Sequence, residues 1–515
     1  MYLINNVKIN IKEDFSNLNK LLSQALGLKA YNVTLKKRSI DSRKKGEPIY
    51  ICSFIFECDD KAVLDNKDCT FYDVKDYEFI KAKNIPSTRP IIVGFGPSGM
   101  FAALTLCYAG LKPIILERGA DVDTRTRDVE EFFKGGKLNY KSNVQFGEGG
   151  AGTFSDGKLN TGIKDIRIDA VLKLFHKFSA PEEILYSSTP HIGTDILKNV
   201  VKNIRKEIIS LGGEILFNHN VCDIEIKDNE ICKVICDNNK EFACEKVIFA
   251  LGNSARDTFK LFYNKGINLA QKPFSVGVRI EHKQSLIDNF KYKGYKGLPS
   301  ADYKMAVHLK DGRGVYTFCM CPGGYVINSS SEENSTVTNG MSFNARNGKN
   351  ANSALLVSVL PEDLKSSHPL AGIEFQREIE RKAYFTAGGH FPITQRVGDF
   401  LRGKETTKFS GILPTAKPKT VNADISKLLP HFVSKALKEA LPLFDKKLLG
   451  FNDENAVLSA PETRSSSPVK ILRDENFETN IKGIYPAGEG AGYAGGITSS
   501  AVDGIKAAEK LIESL

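Results

Sequence analysis

The sequence of 515 residues lacks most of the features that mark special classes of protein. It has no apolar run near the roughly 18 residues that a membrane-spanning helix needs, so we expect no contact with a membrane. Its ten cysteines include no Cys-x-x-Cys pair, and so few over this length exclude a disulfide scaffold. The first residues show no basic segment followed by an apolar one, so we predict no signal peptide and a cytoplasmic location.

What remains is the composition of an ordinary globular protein. A hydrophobic fraction of 41% and a charged fraction of 26% exclude wholesale disorder, and the length allows about three domains. The net charge of +10 permits an acidic partner. The densest basic segment is Lys36–Arg38 with Arg43–Lys45. A solvated strand end and loop is its ordinary interpretation, and a contact for phosphate or nucleic acid is the alternative.

Residues 1–86 predict a small α+β unit. A strand with alternating apolar residues runs from Val7 to Ile11, and apolar positions over residues 15–26 lie on one helical face. Two more strands are expected near residues 33–35 and 49–56. This order fits a ferredoxin-like module.

A dinucleotide-binding fingerprint follows that unit. The short apolar strand Ile91–Val93 leads at once into the Gly-x-Gly-x-x-Gly turn of Gly94–Gly99, and an apolar helix continues from Met100. A second apolar strand, Ile114–Leu116, ends at the acidic residue Glu117. The glycine turn therefore stands in the context of strand, helix, strand and acid that dinucleotide binding requires.

Each residue type in the fingerprint has a physical role. Gly94 permits the tight turn, Gly96 lets the backbone approach a pyrophosphate, and Gly99 lets the helix pack on the sheet. The helix N-terminus offers free N–H groups to phosphate, and Glu117 can accept hydrogen bonds from ribose hydroxyls. The residues predicted to bind the cofactor here are Gly94, Gly96, Pro97, Ser98, Gly99, Met100, Glu117 and Arg118.

The C-terminal region indicates which dinucleotide is bound. A short apolar strand ends in glycines and an acid at 483–490, a second glycine-rich stretch follows at 492–498, and a helix is expected over 499–515. NAD binding does not explain a glycine-rich helix start so late in the chain, whereas a flavin needs a helix N-terminus at its pyrimidine end. The predicted contacts in this region are Gly488, Glu489, Gly496, Ile497 and Thr498.

Other segments complete the predicted FAD site. A strand ending at Ala250 and Gly252 is expected beside the pyrophosphate, and Val221 follows a strand beside the adenine. The glycine-rich loop 147–158 can form a nest of N–H groups for phosphate or the flavin edge, with a permissive surface loop as the alternative. Its predicted contacts are Gly149, Gly150, Ser155 and Gly157.

These motifs resemble the glutathione-reductase-like FAD fold. More narrowly, the chain resembles a bacterial FAD-dependent dehydrogenase family with a small N-terminal domain and an FAD-dependent-protein C-terminal domain. The segments that carry this closer resemblance are Lys37–Lys45, Gln145–Leu159, Pro190–Asp195, Phe318–Gly324 and Tyr485–Ser500. The resemblance implies a flavoprotein oxidoreductase and supplies no agreed substrate. Glu489 stands where many members of the superfamily have Asp, and it can hold the ribityl chain directly or through water.

The expected fold class is α/β. It comprises an N-terminal ferredoxin-like α+β domain over 1–86 and a glutathione-reductase-like FAD-binding Rossmann domain in two parts, 87–270 and 457–515. Between these parts, residues 271–456 form an inserted α+β substrate domain that would cap the flavin. No spacing in that insertion suggests a metal site or a Ser-His-Asp triad, and we predict no metal.

Candidates for chemistry are few, and each has an ordinary interpretation as well. Lys158 can balance the charge of a reduced flavin. Two histidines are candidate proton donors, because the ordinary pKa of histidine lies near neutral pH. Two arginines can hold an anionic substrate or a flavin carbonyl, or form plain salt bridges. A Cys-x-Cys pair can be redox active but is more often a buried hydrophobe. These candidates are Lys158, His191, His390, Arg279, Arg464, Cys319 and Cys321.

The sequence favours an FAD-dependent oxidoreductase that passes hydride through flavin N5. Its small-molecule substrate is not identified by any motif. No second strand-Gly-x-Gly-x-x-Gly-helix unit occurs between residues 120 and 480, so NAD(P)H is expected only as a transient electron donor at the flavin face. One rival is a flavoenzyme that modifies a base in RNA. The other, not an enzyme, is a redox-sensing FAD protein that binds a partner.

Overall fold

A computed structural model describes residues 1–43, 46–60, 63, 65–73 and 76–515. Lys44 and Lys45 of the basic segment lie outside the described residues. Among the described residues, no helix is both long and apolar enough to cross a membrane.

The N-terminal domain is one antiparallel sheet with a helix on it. Its elements are β1 (Tyr2–Asn10), α1 (Leu18–Leu26), β2 (Tyr31–Asp41), β3 (Ile49–Glu57) and β4 (Cys69–Phe71). The strand order β2-β3-β1-β4 is that of a ferredoxin-like sheet, as the sequence predicted. Asn17 caps the start of α1, and Gly27 ends it with a left-handed φ of 69°.

The FAD-binding domain is built on a parallel sheet of five strands in the order β23-β11-β5-β6-β7. Those strands are β5 (Ile91–Val93), β6 (Ile114–Glu117), β7 (Glu214–Phe217), β11 (Val247–Phe249) and β23 (Ile484–Pro486). The last strand of the chain thus pairs beside β11, which confirms the predicted discontinuous domain. A separate antiparallel sheet carries β8 (Val221–Lys227), β9 (Glu230–Cys236) and β10 (Glu241–Ala243).

Helices pack on the parallel sheet and form hydrophobic cores with it. They are α2 (Pro97–Tyr108), α3 (Val122–Phe133), α4 (Arg167–Lys177), α5 (Thr194–Ser210), α6 (Arg256–Asn264) and α11 (Ile497–Glu513). Short 3-10 helices lie at Ala151–Phe154 and Glu182–Leu185. α2 and α11 pack against each other, although nearly 400 residues separate them in the chain, because small residues line their contact.

The substrate domain has a sheet of seven strands in the order β14-β15-β18-β13-β21-β19-β20. These strands are β13 (Phe274–Lys283), β14 (Ala306–His308), β15 (Gly314–Cys321), β18 (Asn350–Val359), β19 (Ile393–Arg396), β20 (Val421–Asn422) and β21 (Val457–Glu462). Its helices are α7 (Gln284–Tyr292), α8 (Ala371–Ala387), α9 (Val397–Arg402) and α10 (His431–Asp445). Two small ribbons pair β12 (Leu269–Gln271) with β22 (Val469–Ile471) and β16 (Tyr325–Asn328) with β17 (Thr338–Met341). Short 3-10 helices lie at Pro361–Asp363 and Ile425–Lys427.

The residues directly after the predicted domain boundary at 456–457 form strand β21. Strand β21 pairs with β13 and β19, so Val457–Glu462 belongs to the sheet of the substrate domain. The β12–β22 ribbon then leads back to the FAD-binding domain. The sequence did not reveal this because pairing between β21 and β13 joins residues that are about 180 positions apart.

Two described residues of the basic segment contact the FAD-binding domain. Lys36 pairs with Asp169 on α4, and Arg38 pairs with Glu183. The Arg38 guanidinium also stacks on the ring of Tyr186. The charges of Lys36 and Arg38 are therefore neutralised by acidic residues within the chain.

Packing of α11 on α2 gives a testable prediction of stability. A Cβ added at Gly504 would lie 2.1 Å from the Ser98 carbonyl oxygen. We expect Gly504→Ala to lower the free energy of unfolding by about 1–3 kcal/mol, even though Ala favours a helix. Gly162→Ala is the control, because open space surrounds that glycine. Urea unfolding measures the free energy of unfolding of both variants and of the parent. A Gly504→Ala variant as stable as the parent would contradict this packing.

Candidate functional site

A deep cleft runs between the parallel sheet and the substrate domain. Its floor is the Gly94–Ser98 turn, and the residues after β11 form one side. Residues 495–497 at the start of α11 lie at one end, and the substrate-domain residues Phe318, Cys319 and Glu462 close the cleft above. The glycine turn and the C-terminal segment therefore meet in one cavity.

Open backbone lines the dinucleotide part of this cleft. The N-terminus of α2 begins directly after Gly96, where free N–H groups favour an anion. A Cβ at Gly252, Gly495 or Gly496 would meet no protein atom closer than 3.8 Å, so these glycines face free space. Gly99 instead packs tightly, since its Cβ would lie 2.0 Å from the Gly94 carbonyl oxygen. These are the roles that the fingerprint predicts.

Glu117 ties together the loops that border the cleft. Its carboxylate accepts hydrogen bonds from the backbone N–H groups of Phe95 (2.8 Å), Gly119 (2.9 Å) and Gly147 (3.0 Å). The side chain lines the cleft at the end of β6, as predicted for a ribose ligand. It also has a structural role that the sequence did not reveal, because it fixes two glycine loops at once.

Two buried polar atoms in the cleft have no partner in the protein. They are the Ser98 hydroxyl and the Nε2 atom of His219. His219 Nδ1 lies 2.8 Å from the Phe217 carbonyl oxygen, so Nδ1 carries the proton and Nε2 is an acceptor. Buried polar groups without a partner are rare, and a dinucleotide in the cleft would satisfy both. The residues present therefore fit FAD.

At the flavin end, Glu489 faces the cleft near the start of α11. Its Oε1 atom accepts a hydrogen bond from Asn253 Nδ2 at 2.7 Å. Burial raises the pKa of Glu489 to about 7, and the charge of Lys272 only partly opposes this. A carboxyl with this pKa can both donate to and accept from a ribityl hydroxyl near neutral pH.

Fifteen of the twenty residues predicted to bind the cofactor line the cleft. They are Gly94, Gly96, Pro97, Ser98, Glu117, Arg118, Gly150, Ser155, Gly157, Val221, Ala250, Gly252, Glu489, Gly496 and Ile497. The other five support it from behind: Gly99, Met100, Gly149, Gly488 and Thr498. Met100 is buried in the core, and the Thr498 hydroxyl bonds the Leu159 carbonyl oxygen at 2.8 Å. Contact between these five and the cofactor stays a prediction.

Both cysteines of the Cys-x-Cys pair line the cleft. Strand β15 contains a bulge between Phe318 and Cys321, so the two thiols do not follow simple alternation. Cys319 has a left-handed φ of 41° and opens to the cleft, whereas Cys321 is buried. Desolvation raises the pKa of both thiols, that of Cys321 to about 11. Neutral thiols result, which does not support thiolate chemistry at neutral pH.

The two candidate arginines are fixed by buried carboxylates. Arg279 is fully buried and donates from Nη1 to both oxygens of Glu462, at 3.1 and 3.0 Å. It contacts the lining of the cleft from behind, through Glu462 and through the Cys319 carbonyl oxygen, which accepts a hydrogen bond from Nη2 at 2.7 Å. Arg464 does line the cleft, but its guanidinium makes a two-point contact with Glu380 at 3.0 and 2.7 Å.

Glu380 joins Arg464 to a second arginine. Arg256 donates to both of its oxygens at 2.8 Å, and the Thr463 hydroxyl adds a further bond of 2.7 Å. Burial opposes ionisation, but Arg256 and Arg464 hold the pKa of Glu380 well below its usual range. This cluster fixes α6, α8 and the end of β21 relative to one another.

The two candidate histidines lie outside the residues that line the cleft. His191 Nε2 is 3.1 Å from the Asn344 carbonyl oxygen, and His390 Nδ1 is 2.6 Å from the Ser335 carbonyl oxygen. Burial lowers the pKa of both. Each therefore has a backbone partner in the fold, and a role as proton donor stays a prediction for both.

Several residues of the cleft wall were not among the predicted site residues, and they include His219, Asn253, Asn339 and Glu462. Asn253 directly follows the Ala-x-Gly motif, so its position was a usable signal. His219 lies two residues before Val221 and offered a weaker one. Asn339 and Glu462 reach the cleft only through pairings within the substrate domain, which no local pattern reveals.

The bonds of Glu117 predict its effect on FAD affinity. In Glu117→Gln an amide NH₂ group would face backbone N–H donors, so the two glycine loops would separate. We expect the Kd for FAD to rise at least about tenfold, measured by quenching of FAD fluorescence in apoprotein. Glu214→Gln on the neighbouring strand loses only an exposed pair with Arg89 and should leave the Kd unchanged. Equal affinities of the Glu117 variant and the parent would contradict this role.

The raised pKa of Glu489 predicts a pH dependence of stability. Between its ordinary value of 4.5 and about 7, the folded protein holds a proton that the unfolded chain releases. The free energy of unfolding should therefore fall as pH rises. Between about pH 5.5 and 8, the free energy of unfolding of the parent should fall by about 1–2 kcal/mol more than that of Glu489→Gln, as measured by urea unfolding. Parallel pH curves for the two proteins would contradict the assignment.

Comparison with known proteins finds a family model and a full-length relative for this chain. The family model "FAD-dependent protein, C-terminal domain-like" matches residues 273–465, which are the substrate domain including β21. An uncharacterized protein of Clostridium beijerinckii is 46% identical over 524 aligned residues, covering 99% of this chain and 98% of that protein.

The solved structures that match this chain are more distant. A variant of E. coli quinol fumarate reductase is 12% identical, with 83% of this chain and 70% of that chain covered and a TM-score of 0.38. L-proline dehydrogenase from P. horikoshii is 12% identical, with coverages of 84% and 95% and a TM-score of 0.35. Glycine oxidase from Bacillus cereus is 14% identical, with coverages of 83% and 95% and a TM-score of 0.30.

The identity to the Clostridium protein extends over the whole chain, and the family model covers its substrate domain. The chain belongs to the family of FAD-dependent proteins that share this C-terminal domain, and FAD is its cofactor.

Proposed function

We propose that this flavoprotein is an oxidoreductase that transfers hydride between a small organic substrate and N5 of its flavin. The observation that supports this is the closure of the cleft by the substrate domain. Phe318, Cys319, Asn339 and Glu462 all line the cavity that receives the C-terminal flavin segment. A cofactor bound there would meet a walled pocket rather than open solvent.

FAD supplies the hydride chemistry when it is bound. The chain would supply binding and orientation: the N-terminus of α2 would hold the pyrophosphate, and the N-terminus of α11 would favour negative charge at the pyrimidine end. Glu462 is a carboxyl group of the substrate-side wall, held in place by Arg279. Burial raises its pKa to about 7, which suits a group that exchanges a proton with substrate.

The two rivals from the sequence receive less support. The hypothesis of RNA binding depends on the basic segment that contains Lys36 and Arg38. Each of these two side chains is paired with an acidic residue of the FAD-binding domain. A sensor needs no walled pocket beside its flavin, whereas the cleft has one. We therefore favour an enzyme acting on a small molecule.

Anaerobic reduction tests this proposal. The described residues contain one parallel sheet with a Gly-x-Gly-x-x-Gly turn, so we expect NADH and NADPH to bleach the flavin absorbance only slowly. Dithionite should bleach it completely, and a screen of small organic reductants should yield one that bleaches it rapidly. Rapid bleaching by NADPH or NADH would instead make a pyridine nucleotide the direct partner. Failure of every small reductant would favour the sensor.

A further inference from the structure

Seven charged side chains line the flavin cleft, and all but one have a partner within the protein. Glu117 bonds three backbone N–H groups, Glu489 bonds Asn253, and Arg118 pairs with Asp257 at 3.0 Å. Asp156 pairs with Arg346, Glu462 with Arg279, and Arg464 with Glu380. Among the described residues, Lys158 alone of the seven has no hydrogen bond or ion pair through its ammonium group.

The acids near Lys158 are already engaged. Its charge acts on Asp156 and Asp302, and it lowers the pKa of each. Arg346 contacts the Asp156 carboxylate from two nitrogens, and Lys291 pairs with Asp302. The half-buried Lys158 ammonium is thus left as an unneutralised cation in the cleft wall.

The position of Lys158 relates it to both the flavin and the substrate. Thr498 in the first turn of α11 donates a hydrogen bond to the Leu159 carbonyl oxygen at 2.8 Å, which holds this loop at the flavin end. The charge of Lys158 is also felt by Cys319 and Cys321 in the substrate-domain wall. Lys158 therefore belongs to a loop that is bonded to the start of α11, and it lines the same cleft as the bulge of β15.

We propose that Lys158 is the anion-binding group of the substrate pocket and that the substrate carries a carboxylate. This inference rests on the proposed function. An unpaired cation in a partly desolvated wall binds an anion more strongly than it would in water. Glu462 lines the same cleft. With the carboxylate held by Lys158, the neighbouring carbon would give hydride to the flavin and the hydroxyl or amino group on that carbon would give its proton to Glu462, which leaves a C=O or C=N bond.

Benzoate and benzamide test the charge, because they have the same shape and differ in it. Binding to the FAD-loaded protein is followed by perturbation of the flavin absorbance. Benzoate should bind, and Lys158→Met should raise its Kd at least about tenfold while leaving the Kd of benzamide unchanged. Lys158→Arg keeps the charge and should restore most of the affinity. Lys164→Met, an exposed lysine on the same loop, is the matched control and should bind like the parent.

The reduced flavin is the other anion that the Lys158 ammonium could stabilise. The midpoint potential of the flavin distinguishes this role from binding of a substrate carboxylate. The proposal expects this potential to be unchanged in Lys158→Met while benzoate binding is lost. A lowered potential with normal benzoate binding would assign the ammonium to the flavin and overturn the proposal. No perturbation by benzoate in the parent would overturn it as well. A parent protein without bound FAD would instead contradict the proposed function itself.

Discussion

The close contact between α2 and α11 is the constraint on which the site depends. Gly504 lies against the Ser98 backbone, and Gly99 lies against Gly94, with no room for a side chain at either glycine. This contact brings two helix N-termini that are far apart in the sequence to one cleft. A dinucleotide with phosphates at one end and a reducible ring at the other needs both termini. The N-terminal domain and the substrate domain are arranged around this pair.

Buried ion pairs fix the substrate domain over that cleft. Glu380 on α8 holds Arg256 of the FAD-binding domain and Arg464 of the cleft wall, and Arg346 reaches across to Asp156 in the glycine-rich loop. Burying such charges costs free energy, so a pair of this kind is weak evidence for stability. Its geometric effect is clearer, since a two-point contact on both sides of one carboxylate leaves little freedom of orientation.

The sequence predicted the parts of the protein that local patterns encode. The glycine turn, the late helix start and the strands around them lie where the pattern indicated. Each of these features is encoded by residues that lie within about 30 positions of one another in the sequence. It also gave the ferredoxin-like order of the first domain. It did not predict that Glu462 faces the cleft or that Arg279 lies behind it, because both depend on pairing of β21 with β13. The sequence could not place His191 and His390 relative to the cleft, because a suggestive neighbourhood in sequence does not fix the distance to a cofactor.

Identification of the flavin released from the purified protein tests the central claim most directly. The protein is denatured, and the released chromophore is separated by chromatography and measured against FAD and FMN standards. The cleft accommodates both a pyrophosphate and an adenosine beside Glu117 and His219, so we predict about one FAD per chain. Release of FMN, or of no flavin even after incubation with added FAD, would contradict the account.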